Sequence, residues 1–108
     1  MNVLLSTFPD EEIARHIART LVEERLVACV NLLPGATSIY RWAGKVESAT
    51  EVVAIFKVGE SAAAAMARLK ELHPYEVPEI IQLAVTDAHP AYLAWVRENC
   101  APWQKDEG

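Results

Sequence analysis

The sequence has no apolar run that approaches the ~20 residues of a membrane-spanning helix, so we expect no membrane partner. It also lacks the basic region and the small-residue cleavage site of a secretory signal peptide, because Met1-Asn2 is followed directly by an apolar segment. These two absences predict a cytoplasmic protein whose mature chain begins at or near Met1.

Positive charge is scarce, with 10 Lys and Arg residues against 15 Asp and Glu residues and a formal net charge of -5. Nucleic-acid binding needs a concentrated basic face to neutralise phosphates. The basic residues here are scattered along the chain. The charge pattern therefore argues against a nucleic-acid partner and is compatible with cation binding.

Motifs of catalysis and of thiolate metal binding are also missing. Cys29 and Cys100 are the two cysteines, and neither lies in a CxxC or Cys/His spacing, so no zinc site or disulfide framework is indicated. The chain has no Ser-His-Asp set, no activated Cys-His pair, no Gly-rich phosphate loop and no metal-hydrolase motif. We therefore predict that the protein is not an enzyme.

The patterning that is present predicts one domain over residues 1–100, followed by a polar tail at 101–108. Apolar runs alternate with segments of helical periodicity. The predicted elements are a strand at Val3–Ser6, a helix from Glu11 to about Glu24, a long strand at Val27–Trp42 bent or bulged at Pro34, a tight reversal at Ala43-Gly44-Lys45, a strand at Val46–Val58, a helix at Ala62–Leu72 with Ser61 as N-cap, a strand at Ile80–Val85, and a last helix that follows Ala88-His89-Pro90 and reaches about Asn99.

This order is the α+β, ferredoxin-like β-α-β-β-α-β arrangement with an extra C-terminal helix, in which both main helices cover one face of a four-stranded antiparallel sheet. The first and third strands should be central, which agrees with the apolar runs at Val3–Ser6 and Val52–Phe56. A hairpin from Val27 to Val58 is too long for two short helices to cover. Its edges would promote aggregation if left unpaired, so we predict a closed homo-oligomer built through strand edges.

The densest chemistry lies between His73 and Glu79, where Pro74 and Pro78 predict a stiff, extended connector. His73 has two open interpretations: a residue that ends a helix and caps its carbonyl groups, or a metal ligand. A single imidazole binds metal weakly, so the second interpretation needs Glu76, Glu79 or groups from a neighbouring subunit.

Further polar and aromatic residues are candidates for a cleft between subunits, together with the two glutamates just named. They are Tyr40, Trp42, Glu51, Lys57 and Tyr75. The Lys57 ammonium follows an apolar run and would be costly to bury alone, so a carboxylate partner is expected in Glu51, Glu76 or Glu79. The cluster is interpreted either as an ion-pair network that locks an oligomer or as a small-ligand pocket.

A series of motifs in the same order resembles the divalent-cation tolerance protein family, CutA. The motifs are Leu21-Val22-Glu23, Leu26-Val27-Ala28-Cys29-Val30-Asn31, Pro34-Gly35, Thr37-Ser38-Ile39-Tyr40-Arg41-Trp42, Gly44, Glu51, Lys57, the block from His73 to Ile80, and Tyr92-Leu93 with Trp95. The resemblance implies a ferredoxin-like protomer in a PII-like homotrimer held by strand pairing between subunits. It also implies a role in tolerance to copper and other divalent metals.

The resemblance also implies a comparison with the copper site credited to some bacterial members, which is formed by a cysteine late in the first strand and two histidines just before the Pro-Tyr-Glu sequence. These positions carry Ser6, Leu72 and His73 here, so one of the three ligands remains. We expect Cu(II) or another divalent cation as the ligand. Two other functions stay open: a PII-like sensor of small ligands, and an interaction protein that uses exposed residues such as Trp103.

Overall fold

The computed structural model describes residues 1–100, and the predicted tail at 101–108, with Trp103, lies outside that range. The elements are β1 (Asn2–Phe8), α1 (Glu11–Glu23), β2 (Cys29–Trp42), β3 (Lys45–Val58), α2 (Ala63–Leu72), β4 (Ile80–Ala84) and α3 (Pro90–Asn99). None of the helices in the described range is long and apolar enough to cross a membrane.

The four strands form one antiparallel sheet in the order β2-β3-β1-β4. The predicted ferredoxin-like arrangement is thereby confirmed, with β1 and β3 in the centre and β2 and β4 at the edges. The two central strands are the ones with apolar runs in the sequence, at Val3–Ser6 and Val52–Phe56.

The core lies between one face of the sheet and the first two helices. Alternate residues of β1 and β3 point towards the helices, and the Phe8 and Phe56 rings meet edge to face with centroids 6.5 Å apart. Leu21 of α1 and Leu69 of α2 are fully buried against them. Burial of each such side chain contributes about 1.5–3 kcal/mol of stability relative to exposure.

The two main helices begin in different ways. The Asp10 carboxylate caps α1 by accepting a hydrogen bond from the Ile13 N–H at 2.9 Å. The predicted N-cap of α2 was wrong: the helix begins at Ala63, Ala62 is the N-cap residue, and no side chain caps it. Ala62 and Ala65 are buried in the core, so packing of these small side chains, rather than the Ser61 hydroxyl, sets the start of this helix.

The β2–β3 hairpin is longer than the sheet. Its register shifts between Leu33 and Ala36, which confirms the predicted bulge at Pro34, and Gly35 adopts a positive φ of 82° there. β1 pairs only with Val52–Val58 of β3, so residues 36–51, here called the hairpin arm, extend beyond the sheet. The molecule is consequently elongated, with extents of 49 × 27 × 24 Å.

Large apolar side chains remain exposed on two surfaces of the single chain. On the hairpin arm, Ile39 is 72% exposed and Trp42 is 57% exposed. On the face of the sheet opposite the two main helices, Leu33, Ile81 and Leu83 are about half exposed. Apolar patches of this kind mark surfaces that contact other molecules.

The turn at the tip of the hairpin arm has two residues, Ala43 with φ 52° and Gly44 with φ 81°. Positive φ at both positions is typical of a type I′ turn. Alanine is strained there because its Cβ approaches the following carbonyl oxygen, whereas asparagine tolerates this region.

We expect Ala43→Asn to raise the free energy of unfolding by about 0.5–1 kcal/mol by relieving this strain. Denaturant titration measures the change. Thr50→Asn, at an exposed and extended position of the same hairpin, serves as the control and should not stabilise the protein. Equal effects of the two substitutions would contradict the assignment of strain to Ala43.

Candidate functional site

His73 ends α2, as predicted, but its ring does not cap the helix. Its backbone N–H donates to the Leu69 carbonyl at 2.9 Å, and its backbone is extended beyond that point. The ring enters the core, where only 8% of the residue is exposed, and it stacks on Phe8 with centroids 4.6 Å apart. The end of α2 is thereby joined to β1.

Both ring nitrogens of His73 have hydrogen-bond partners. Nδ1 accepts from the Tyr75 N–H at 3.1 Å, and Nε2 lies 2.9 Å from the Thr7 carbonyl oxygen and 3.2 Å from Ser6 Oγ. Because a carbonyl oxygen only accepts, this network assigns the ring proton to Nε2. Coordination of a metal by His73 would require the loss of one of these bonds.

The surroundings of His73 favour the neutral ring. Burial lowers its pKa below the ordinary value, and this effect outweighs the opposing contributions of the Thr7 carbonyl and the Glu51 charge. A neutral imidazole can accept the Tyr75 N–H and donate to Thr7 at the same time. His73 therefore acts as a joint that holds the 73–79 segment against β1.

Tyr75 links the 73–79 segment to the β2–β3 hairpin. Its hydroxyl donates to Glu51 Oε2 at 2.6 Å, and Glu51, on β3, is only 8% exposed. Burial and the hydrogen bond to Glu51 raise the pKa of Tyr75 well above its ordinary value. The phenol therefore remains a donor, and Glu51 is held as its acceptor at the point where the hairpin leaves the sheet.

An open groove of about 780 Å³ lies between the hairpin arm and the 74–79 segment. It is lined by Thr7, Ser38, Ile39, Tyr40, Trp42, Glu51, Pro74, Tyr75, Glu76, Val77 and Glu79. Three of these side chains are carboxylates and three are large aromatic rings, and no Lys, Arg or His is among them. The groove is therefore acidic and aromatic, which suits a cation better than an anion.

Six of the residues singled out from the sequence meet in this groove: Tyr40, Trp42, Glu51, Tyr75, Glu76 and Glu79. His73 lies beneath them. The groove residues that sequence reasoning missed include Thr7, Ser38 and Val77, which carry no charged or metal-ligating group and so gave no signal. Whether a second subunit closes the groove stays a prediction.

Within the single chain, Lys57 does not line the groove, and its place in a cleft between subunits stays a prediction. It lies six residues along β3 from Glu51, a separation of about 20 Å in an extended strand. Its ammonium donates to Asn31 Oδ1 and lies 3.8 Å from Cys29 Sγ, so within residues 1–100 it contacts an amide and a thiol and no carboxylate. Lys57 is only partly buried, so its ammonium keeps some contact with water. It therefore does not need the carboxylate partner that full burial would have required.

The described residues contain no preassembled group of three or more His, Cys, Asp or Glu side chains that could hold a metal ion. Glu51, Glu76 and Glu79 share a groove without converging on one point. Carboxylates of this kind suit hard divalent cations, which accept oxygen ligands from water as well as from protein. A cation held here would therefore take part of its coordination from water or from another chain.

The neutral His73 makes a pH-dependent contribution to stability. Because its folded pKa is lowered, the unfolded chain binds more protons as pH falls, so the stabilisation is fully present above the unfolded pKa of about 6.5 and is lost as pH falls through the folded pKa. We expect the free energy of unfolding to decrease between about pH 7.5 and about pH 5, as measured by denaturant titration.

His73→Asn should remove this component, because the amide oxygen can still accept from Tyr75 N–H but does not titrate. His16→Gln, at an exposed position of α1, should retain the dependence of the parent chain. If the two variants show the same pH dependence, His73 is not its source.

Comparison with known proteins relates the chain and its fold to one family. The family model described as "CutA1 divalent ion tolerance protein" matches residues 2–99. The divalent-cation tolerance protein CutA of Thermus thermophilus is 51% identical over 98 residues, which cover 90% of this chain and 95% of the relative. Protein CutA of Mus musculus is 47% identical over 93 residues, which cover 85% of this chain and 52% of the relative. The chain thus spans about half the length of the mouse protein.

A solved structure gives the same result. The divalent cation tolerance protein (Cut A1) of Thermus thermophilus superimposes with a TM-score of 0.88 at 50% sequence identity, covering 94% of this chain and 100% of that one. The match includes the long hairpin and the 73–79 segment that form the groove, since it extends over nearly the whole described range.

Proposed function

Because this chain belongs to the CutA1 divalent ion tolerance protein family, we propose that it acts in divalent-cation tolerance by binding divalent cations, without catalysis. Cu(II) is the first candidate ion. The observation that carries this proposal is the groove beside the hairpin arm, which has three carboxylates and no basic side chain in its lining. The names of the relatives support the same class of ligand.

Glu76 and Glu79 are the proposed ligands. Both are exposed on the 74–79 segment and line the groove, so they can take a hydrated ion without burying its charge. His73 has a positioning role in this proposal: its hydrogen bonds to Thr7 and Tyr75 hold the segment that presents the two carboxylates. Remaining coordination positions are left to water or to another copy of the chain.

Removal of both carboxylates should weaken metal binding. In calorimetric titrations with Cu(II) and with Mg(II), Glu76→Gln/Glu79→Gln should raise the Kd by about tenfold or more, because neutral amides bind a divalent ion less strongly than carboxylates. Glu12→Gln/Glu98→Gln removes two exposed carboxylates elsewhere and should bind as the parent does. Loss of binding in His73→Asn, with full binding in the groove variant, would instead favour coordination by the histidine.

We further propose that the protein is a homotrimer assembled through strand edges. The support is the apolar surface that the single chain leaves exposed: Ile81 and Leu83 on the edge strand β4, Leu33 on β2, and the hairpin arm. Head-to-tail pairing of β4 with a different edge of the next copy would satisfy the free strand edges and close a ring. The sheet faces that carry Leu33, Ile81 and Leu83 would then point into the ring and cover one another.

Light scattering coupled to size-exclusion chromatography should give a mass three times the 12.0 kDa of the chain. Ile81→Lys/Leu83→Lys should shift the mass towards the single chain, since two ammonium groups would have to be buried in the interface. Val22→Lys, at a partly exposed apolar position of α1, should leave the mass unchanged. A parent chain that elutes as a monomer contradicts the proposal.

A second candidate function, a PII-like sensor of small ligands, is favoured by the aromatic wall of the same groove. Tyr40, Trp42 and Tyr75 line it beside the carboxylates. Clefts that combine aromatic surface with a few polar groups are typical of small-molecule sites. A metal ion that is bound by carboxylates and water makes no contact that requires these aromatic rings.

A further inference from the structure

Glu51 is a buried carboxylate without a positive partner. It is more than nine-tenths buried and faces the groove. Its Oε2 accepts from the Tyr75 hydroxyl, and among residues 1–100 it makes no ion pair and no donor contacts its other oxygen, Oε1. Because a buried charge is unfavourable unless it is paired, the site that contains Glu51 is incomplete in the single chain.

Lys57 has the complementary deficit. An ammonium carries three donors, and within residues 1–100 that of Lys57 contacts the Asn31 amide oxygen and the Cys29 thiol but no carboxylate. Lys57 alternates with the buried Phe56 and Val58, so it lies on the sheet face opposite the two main helices. The proposed homotrimer covers this face with other copies, where an ammonium without a carboxylate would be costly.

Glu51 and Lys57 lie on the same face of the sheet but near its opposite edges. They are six residues apart on β3, an even number, so both side chains leave the strand on one side. β1 ends opposite Val52, so at the level of Glu51 the 74–79 segment, which leads into the edge strand β4, takes the place of β1 beside the groove. Lys57 pairs with Cys29 at the start of the other edge strand, β2.

From these complementary features we propose that Lys57 of the partner subunit pairs with Glu51 across each interface of the homotrimer, with its ammonium donating to Oε1. This inference rests on the proposed assembly through strand edges, which joins β4 of one copy to a different edge of the next. A ring of tilted strands closes with a stagger between neighbouring edges. A stagger of about 20 Å, the length of six extended residues, brings the two side chains to one level. The groove that carries Glu76 and Glu79 is then formed by two copies of the chain together.

A double-mutant cycle on the assembled protein tests this pair. Glu51→Gln keeps an oxygen that accepts from the Tyr75 hydroxyl, and Lys57→Met keeps an alkyl stem of similar length. Light scattering follows dissociation of the trimer on dilution in guanidinium chloride, and circular dichroism checks that the chain stays folded. Each single substitution should raise the protein concentration at which the trimer dissociates by about tenfold or more, because it leaves one buried charge unpaired. The double variant should dissociate at about the same concentration as the single variants.

Coupling between the two positions can arise only between copies. Within one chain about 20 Å separates them, and the effects of substitutions more than about 10 Å apart without shared partners combine independently. Lys45→Met, at the exposed lysine that begins β3, is the matched control and should show no coupling to Glu51→Gln. Independent effects of Glu51→Gln and Lys57→Met, or coupling of Glu51→Gln to Lys45→Met instead, would overturn the assignment.

Failure of the ion pair can be told from failure of the homotrimer. A parent chain that is monomeric refutes the assembly and the pair with it. A trimeric parent in which Lys57→Met dissociates at the same concentration as the parent overturns the ion pair alone and leaves the assembly standing.

Discussion

The buried ring of His73 is the constraint on which the site depends. Its two nitrogens connect the first strand, through Thr7 and Ser6, to the backbone of Tyr75. The two prolines make the 73–79 segment stiff, but stiffness alone does not choose a direction for it. The hydrogen bonds of the imidazole orient the segment against β1, and the Tyr75 hydroxyl then binds Glu51. The His73 ring therefore fixes the position of the 74–79 segment relative to Glu51.

The other wall comes from the excess length of the hairpin. β1 ends opposite Val52, and the bulge at Pro34 and Gly35 turns the hairpin arm away from the sheet at that level. Glu51 stands at this junction. A shorter hairpin would have no arm and hence no groove. The feature that leaves Ile39 and Trp42 exposed is therefore the same one that creates a cavity next to a buried carboxylate.

Lys57 is separated along β3 from the carboxylates of the groove. The groove end carries carboxylates, whereas Lys57 lies at the opposite end of β3, near Cys29 and the Tyr92 hydroxyl, which is 3.5 Å from the thiol. Had Lys57 lain in the groove, it would have neutralised Glu51 and satisfied its free oxygen. Within the single chain, this distance leaves the groove carboxylates without an ammonium partner from Lys57.

Local features of the sequence determined much of this structure. The switch between periods of 2 and 3.6 residues predicted the element order and the central strands, Pro34 predicted the bulge, and Pro74 predicted the end of α2. The sequence also grouped Tyr40, Trp42, Glu51, Tyr75, Glu76 and Glu79 as candidates for a cleft between subunits; the single chain brings them to one groove, and the second subunit stays a prediction. The predictions of elements, bulge and helix end were accurate because each depends on backbone preferences over a few neighbouring residues.

Only the tertiary structure decided where the side chains point. The sequence left His73 open as a cap or a ligand, and its burial depends on Phe8 and Thr7, which lie in the first strand at the other end of the chain. The Ser61 cap was overridden by the packing of Ala62. Lys57 was expected among the carboxylates, and the strand carries it about 20 Å away. Contacts between distant segments are set by packing and register across the sheet, and no local pattern contains that information.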